Sequence, residues 1–136
     1  MSLNQRDNQQ ERAILIVEST GLMKTITLDT ELFTIGRHHN CSLVLSDKMI
    51  SRYHATIAYL KDPKNSSHSG YWIVDGKGEK QRSTNGIKVN GRKNTMHRLS
   101  DGDVITLGKD YKLTYSHIVD TVENIQINNL DNVIYL

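Results

Sequence analysis

The feature that most constrains the fold is a succession of short apolar runs, which recur about every ten residues from Ala13 onward. β-Branched and aliphatic residues dominate these runs, and clusters of Gly, Asn, Asp and Ser, the residues that turns prefer, separate them. The runs occupy residues 14–17, 25–28, 32–35, 43–45, 55–60, 71–74, 87–89, 104–107 and 111–115. No stretch before Tyr115 keeps a helical period of about 3.6 residues. The sequence therefore predicts an all-β sandwich with its loops gathered at the ends.

The composition is that of one soluble globular domain. The chain has 136 residues, of which 37% are hydrophobic and 24% are charged. Its net charge of +2 is too small to favour a nucleic-acid binder. The single cysteine, Cys41, excludes an internal disulfide and favours the reducing cytoplasm. Neither a membrane span nor a secretory signal is visible, so we expect a cytoplasmic protein without membrane or nucleic-acid partners.

The two termini differ in pattern from the chain between them. We expect residues 1–12 to form a flexible arm, residues 13–116 to form the domain, and residues 117–136 to form a tail or linker. Apolar residues of the tail fall at three- and four-residue intervals, but its asparagines and β-branched residues disfavour a helix. A short helix or extended segment packed on the sandwich, disorder, and weak self-association through the tail all remain open.

Three polar clusters lie where the predicted strands begin or end. They are Gly36-Arg37-His38-His39-Asn40, Ser51-Arg52-Tyr53-His54 and Arg82-Ser83-Thr84-Asn85-Gly86. Loop residues at the end of a rigid sheet are frequent binding groups. Guanidinium, hydroxyl and backbone N–H groups are the donors that phosphate oxygens accept. The clusters therefore predict an anion site.

These clusters, taken together, resemble the forkhead-associated (FHA) domain, a phosphothreonine-peptide binding module. The matching motifs are Gly36-Arg37, Ser51-x-x-His54, Ser83-Thr84-Asn85-Gly86 with Val89-Asn90-Gly91, and the segment at residues 99–105. The resemblance covers about residues 14–115 and neither terminus. It implies an eleven-stranded sandwich whose peptide site lies on loops at one end. It also implies an adaptor in Ser/Thr-kinase signal transduction and not an enzyme.

The resemblance assigns the phosphate to Arg37 and Ser51, with Arg52 reaching the phosphate or the peptide. It gives Asn85 the peptide main chain and Thr84 the γ-methyl group of phosphothreonine. Supporting roles fall to Gly36, His54 and Gly86, with His54 buried and neutral, whereas Lys48 and Arg82 are candidates for contact with peptide side chains.

Each assignment has a structural alternative that the residues alone leave open. Arg37 would instead pair with Asp47 or Glu31, and Arg52 would be a solvated arginine at a strand edge. The dipeptide Asn85-Gly86 would be a simple hairpin turn, as we expect for Asn90-Gly91.

The sequence departs from the family pattern at two places. Ile87 stands where threonine commonly follows Asn-Gly, and the segment before Arg82 is longer. Positive charges at Lys48, Arg52, Arg82 and Lys88 predict a preference for acidic residues beside the phosphothreonine.

Other classes of function fit the residues less well. Ser51 and His54 as nucleophile and base lack an orienting acid and an oxyanion hole. The histidines have no spacing suited to a metal, so we expect no metal and no cofactor. The leading alternative is a phospho-independent interaction or self-association module on the same fold, followed by a nucleic-acid binder that uses basic loops.

Overall fold

The computed structural model describes residues 9–121 of the chain. Within them, eleven strands and one short 3-10 helix, Ser66–His68, follow one another along the chain. The strands are β1 (Gln9–Ser19), β2 (Leu22–Leu28), β3 (Leu32–Gly36), β4 (Leu43–Val44), β5 (Ala55–Leu60), β6 (Gly70–Asp75), β7 (Ile87–Val89), β8 (Arg92–Asn94), β9 (Met96–Arg98), β10 (Val104–Leu107) and β11 (Tyr111–Thr121). None of the helices in this range is long and apolar enough to cross a membrane.

The strands form two sheets, which confirms the predicted all-β, eleven-stranded sandwich. One sheet has the order β2-β1-β11-β10-β7-β8 and the other has the order β4-β3-β5-β6-β9. The pairs recorded in both sheets are antiparallel except β3 and β4, which run parallel. Each of the nine apolar runs in the sequence lies in a strand or overlaps one.

The core lies between the sheets and is built by the two-residue alternation of the strands. In β1, Ala13, Leu15 and Val17 are buried, while Ile14 and Ile16 on the other face remain partly exposed. Completely buried aliphatic side chains come from both sheets: Leu15, Ile35, Ile57, Ile73, Ile87, Ile105 and Leu113. This rigid core fixes the positions of the loops.

Two strands have no apolar run, and hydrophobic periodicity therefore does not find them. The strands β8 and β9 have the sequences RKN and MHR and expose most of their side chains. They are held by pairing with β7 and β6, which means that tertiary contacts create them and local preference does not.

The first and last strands extend beyond the expected domain limits of residues 13 and 116. β1 and β11 pair from Gln9↔Thr121 to Glu18↔Lys112, so part of the expected arm and part of the expected tail belong to the sheet. Residues 1–8 and 122–136, where the rest of both predictions falls, lie outside the described residues.

Candidate functional site

Strand register brings the three polar clusters to one end of the sandwich, which we call the loop end. Ile35 at the end of β3 pairs with Ala55 at the start of β5, and Ala55 pairs in turn with Asp75 at the end of β6. The β3–β4, β4–β5 and β6–β7 loops, which carry the three clusters, therefore all leave the sheets at this end.

The first two loops are joined by their backbones. Arg37 N–H donates to Ser51 O (3.0 Å), and His38 N–H donates to Arg52 O (3.1 Å). A Cβ atom at Gly36 would lie 2.0 Å from the carbonyl oxygen of Arg52. Only glycine permits this close approach, which sets Arg37 beside Ser51.

Arg37 is oriented by the loop but leaves donors exposed. Its Nε donates to Ile50 O (3.0 Å), and the side chain lies at the surface. Within the described residues it forms no ion pair with Asp47 or Glu31, the partners that the structural alternative required. The terminal guanidinium nitrogens of Arg37 can therefore donate hydrogen bonds to an anion.

The buried side chain of His54 joins two loops of the site. It is fully buried, its Nδ1 accepts a hydrogen bond from Ser51 N–H (2.9 Å), and its Nε2 lies 2.7 Å from Gly86 O. Since Nδ1 accepts, the proton resides on Nε2, which donates to the carbonyl, and the ring is neutral. This geometry fixes the β4–β5 loop against the β6–β7 loop.

The hydroxyl of Ser51 faces both loops. Its oxygen accepts a hydrogen bond from Thr84 N–H (3.0 Å), so the hydroxyl proton remains available for a ligand. The contact of His54 is to the backbone N–H of Ser51 and not to its hydroxyl. The ring therefore cannot take the hydroxyl proton in this arrangement, which removes the geometric basis of the nucleophile and base alternative.

Ser83 has a different role from the one that its loop suggested. Its hydroxyl donates to the carboxylate of Asp75, a buried residue at the end of β6, and accepts from Gly86 N–H (2.9 Å). The sequence counted this hydroxyl among the anion donors, but here it braces the loop, because a buried carboxylate needs donors of its own.

Five of the predicted residues line one shallow depression of about 350 Å³. They are Arg37, Ser51, Arg52, Arg82 and Thr84. Asn85 lies next to it, and its Nδ2 donates to Met49 O (2.9 Å). Asn85 also lines a second depression, of about 680 Å³, with Met49, Lys88 and Lys109. Lys48 is exposed and lines neither depression, so the four predicted cations do not surround a single groove.

Three further residues complete the first depression and were not predicted as site residues: Tyr53, Lys77 and Gln81. The Nζ of Lys77 lies 3.9 Å from the centre of the Tyr53 ring, a cation–π contact. The only sequence signal was the basic character of the long β6–β7 segment, which does not reveal a contact across two loops.

Two histidine rings continue the stack that begins with Lys77 and Tyr53. His38 stacks on Tyr53 with ring centres 5.1 Å apart and on His39 at 4.4 Å. Desolvation, followed by the electrostatic influence of His39, Arg52 and Lys77, lowers the pKa of His38. Among residues 9–121, no group of three or more His, Cys, Asp or Glu side chains is arranged to hold a metal ion.

At the loop end, hydroxyl, guanidinium and ammonium groups thus converge on one depression at the end of a β-sandwich. The FHA domain family model matches residues 33–108. The chain therefore belongs to the FHA domain family, which confirms the resemblance, and FHA domains are binding modules.

Individual relatives agree with this assignment. The chain is 36% identical over 104 residues to the uncharacterized protein sll1895 of Synechocystis sp., a match that covers 76% of this chain but only 15% of that protein. The solved Slr1951 protein of Synechocystis sp. superposes with a TM-score of 0.67 and 27% identity, covering 80% of this chain and 98% of the other. A structure from a study of phosphothreonine-dependent FHA domain interactions superposes with a TM-score of 0.62 and 28% identity, covering 77% of this chain and 95% of the other.

Proposed function

We propose that this chain binds phosphothreonine-containing peptides or proteins at the loop end and acts as an adaptor in Ser/Thr-kinase signalling in the cytoplasm. The observation that carries the proposal is the convergence of Arg37 and the Ser51 hydroxyl on one depression, with both groups held by backbone contacts. The phosphothreonine-dependent interactions of a structurally similar FHA domain support it.

In this proposal the phosphate meets preorganised donors. A phosphothreonine carries about 1.5 to 2 negative charges near neutral pH and three acceptor oxygens. The terminal nitrogens of Arg37 and the hydroxyl proton of Ser51 donate to these oxygens, and Arg52 adds positive charge. Since the loops are already fixed by His54 and Gly36, little conformational entropy is lost when the phosphate binds.

Two neighbouring residues act on the rest of the peptide. Thr84 forms the contact for the γ-methyl group, and a methyl-sized contact of about 1–3 kcal/mol discriminates threonine from serine by tenfold or more. Asn85 bonds the peptide main chain through its side-chain oxygen and the second N–H of its amide, since the first N–H already donates to Met49 O.

The expected affinity is micromolar. Two or three charge-assisted hydrogen bonds contribute about 1.5–3 kcal/mol each. Main-chain contacts to the peptide add to this gain and the ordering of the flexible peptide offsets part of it, which suggests a binding free energy of about −8 kcal/mol. A complex of this strength is reversible, as an adaptor in signalling requires.

Fluorescence anisotropy with matched phosphothreonine, phosphoserine and unphosphorylated peptide libraries tests the proposal. The wild type should bind the phosphothreonine set alone with micromolar affinity, and Arg37→Ala should lose at least about 30-fold, equivalent to about 2 kcal/mol. Arg92→Ala, an exposed arginine on β8 at the opposite end, is the matched control and should bind normally. No phosphate-dependent binding by the folded protein would refute the proposal and leave the phospho-independent interaction module.

A further inference from the structure

The first depression contains more positive charge than one phosphate neutralises. Arg37, Arg52, Lys77 and Arg82, four cationic side chains, line a volume of about 350 Å³ that has no aspartate or glutamate in its wall. A single phosphate supplies at most about two negative charges. The whole chain carries a net charge of only +2, so this concentration of charge is local.

Two of these cations, Lys77 and Arg82, lie at the depression because a closed turn of the β6–β7 loop positions the backbone there. Lys77 N–H donates to Gln81 O (2.8 Å), Gln81 N–H donates to Gly78 O (3.1 Å), and Gly78 N–H donates to Asp75 O (3.2 Å). A Cβ atom at Gly76 would lie 1.9 Å from Gln81 O, so the turn is tightly closed.

The turn is also anchored to the rest of the site. Gly76 N–H donates to His54 O (2.7 Å), and the ammonium group of Lys77 rests on the Tyr53 ring.

The positive charges on this side lack acidic partners. Within the described residues, neither Arg52 nor Arg82 nor Lys77 forms an ion pair. After desolvation, the charges of His39, Arg52 and Lys77 lower the pKa of His38, as expected beside uncompensated positive charge. Groups arranged in this way attract a second anion.

We propose that this depression takes two anionic groups of one peptide: the phosphothreonine phosphate at Arg37 and Ser51, and a second carboxylate or phosphate at Lys77 and Arg82. Arg52 lies in the same wall and serves both. The inference rests on the proposed function and deepens it by naming the class of ligand. A depression of about 350 Å³ is small, so the two anionic groups belong to neighbouring positions of an extended peptide, in which each residue spans about 3.3–3.6 Å.

The test varies the second group while the first is kept. One series of peptides carries phosphothreonine among alanines. Two further series add either glutamate or a second phosphoserine at each position from three before to three after the phosphothreonine. Anisotropy at a fixed salt concentration measures the affinity of the wild type, of Lys77→Gln/Arg82→Gln, and of the control Lys61→Gln/Arg92→Gln, which removes the same two charge types at the far end.

For the wild type, we expect a second phosphate within about two residues to tighten binding about tenfold, equivalent to about 1.4 kcal/mol. A glutamate should tighten it less, because it carries a single charge. In Lys77→Gln/Arg82→Gln this gain, measured against the same variant's own affinity for the singly phosphorylated peptide, should fall to about twofold or less. The control should keep the full gain.

The outcomes distinguish a failure of the second subsite from a failure of the proposed function on which it rests. If the singly phosphorylated peptide binds and a second anion adds nothing at any position, the second subsite is wrong and the proposed function stands. A gain that survives in Lys77→Gln/Arg82→Gln also overturns the subsite. Failure of every phosphopeptide to bind overturns both proposals.

Discussion

The strand β7 is three residues long and has an Asn-Gly dipeptide at each end, and the two dipeptides differ completely in their contacts. At the far end, opposite the loop end, Asn90 donates to Asp103 (2.9 Å) and accepts from Val104 N–H (2.9 Å). At the loop end, Asn85 is exposed and donates to Met49 O, and its side-chain oxygen accepts no hydrogen bond among the described residues. The far end uses its polar groups for the fold, whereas the loop end leaves some without a hydrogen-bond partner among the described residues.

The charged groups of the two ends differ in the same way. At the far end, the carboxylate of Asp103 receives hydrogen bonds from Ser100 N–H, Asn90 and His97. At the loop end, cations collect in one wall that has no carboxylate. Substitutions at the far end should therefore affect stability, and exposed substitutions at the loop end should affect binding.

The largest effect is expected from His54, the buried histidine that joins two loops, and His97 in β9 provides the comparison. His54→Ala leaves Ser51 N–H and Gly86 O without a buried partner and opens a cavity, so it should cost about 4 kcal/mol of unfolding free energy. His97, which makes one bond to Asp103 and is 32% exposed, should cost about 1 kcal/mol when changed to alanine. Urea unfolding followed by Trp72 fluorescence measures both. Equal losses would contradict the difference in burial and in number of bonds between the two histidines.

Two glycines separate a steric requirement from a conformational one. In Gly36→Ala the new Cβ meets the backbone of Arg52, so the variant should lose about 3 kcal/mol and more than tenfold in phosphopeptide affinity as Arg37 moves away from Ser51. Gly91 has nothing within 4 Å of a Cβ, but its φ is +83°. Gly91→Ala should cost about 1 kcal/mol and leave affinity unchanged, which unfolding and anisotropy measurements together would check.

Low pH should reduce the free energy of unfolding, because Asp103 at the far end becomes protonated. Desolvation acts to raise the pKa of Asp103, but the hydrogen bonds from Ser100, Asn90 and His97 outweigh it and hold the pKa below its usual value. A lowered folded-state pKa gives stability that is complete above the unfolded value of about 3.9 and is lost as pH falls through the folded value. Asp103→Asn should therefore cost about 2 kcal/mol at pH 7.

Since the asparagine does not titrate, the difference between wild type and Asp103→Asn should shrink as the pH falls below the unfolded-state pKa of about 3.9. Urea titrations at a series of pH values measure it. A constant difference across this range would show that the carboxylate charge is unimportant.

The smallest effects on stability are expected from the two asparagines, Asn85 and Asn90, and these variants test the difference between the two ends most directly. Asn85→Ala loses one exposed hydrogen bond and should change stability by about 0.5 kcal/mol or less, yet weaken phosphopeptide binding about tenfold. Asn90→Ala should cost about 1–2 kcal/mol of stability and leave binding unchanged. If both variants affected the same property, the two ends would not be divided as described.

Much of the fold followed from the sequence because the strand period is local. The alternation of Ala13, Leu15 and Val17 places one face of β1 in the core whatever its partners are. The strands β8 and β9 could not be found in this way, since their side chains are exposed and only pairing with neighbours defines them.

Motifs in the sequence predicted which residues belong to the candidate site, but not which contacts these residues make. Arg37, Ser51 and Thr84 were named from motifs and lie together in the first depression. Ser83 was named with them, but only the structure shows its hydroxyl bonded to Asp75. Tyr53 and Lys77 lie 24 positions apart in the chain, and no local pattern indicates that they touch.

The sequence by itself determined the strand-rich architecture, the positions of the turns and the residue types available to bind an anion, because these depend on periods and spacings along the chain. The tertiary structure decided which polar groups are consumed by the fold and which remain for a ligand. Hydrogen bonds between loops depend on the register of the sheets beneath them. That register is set by burial of the whole core and not by any one segment.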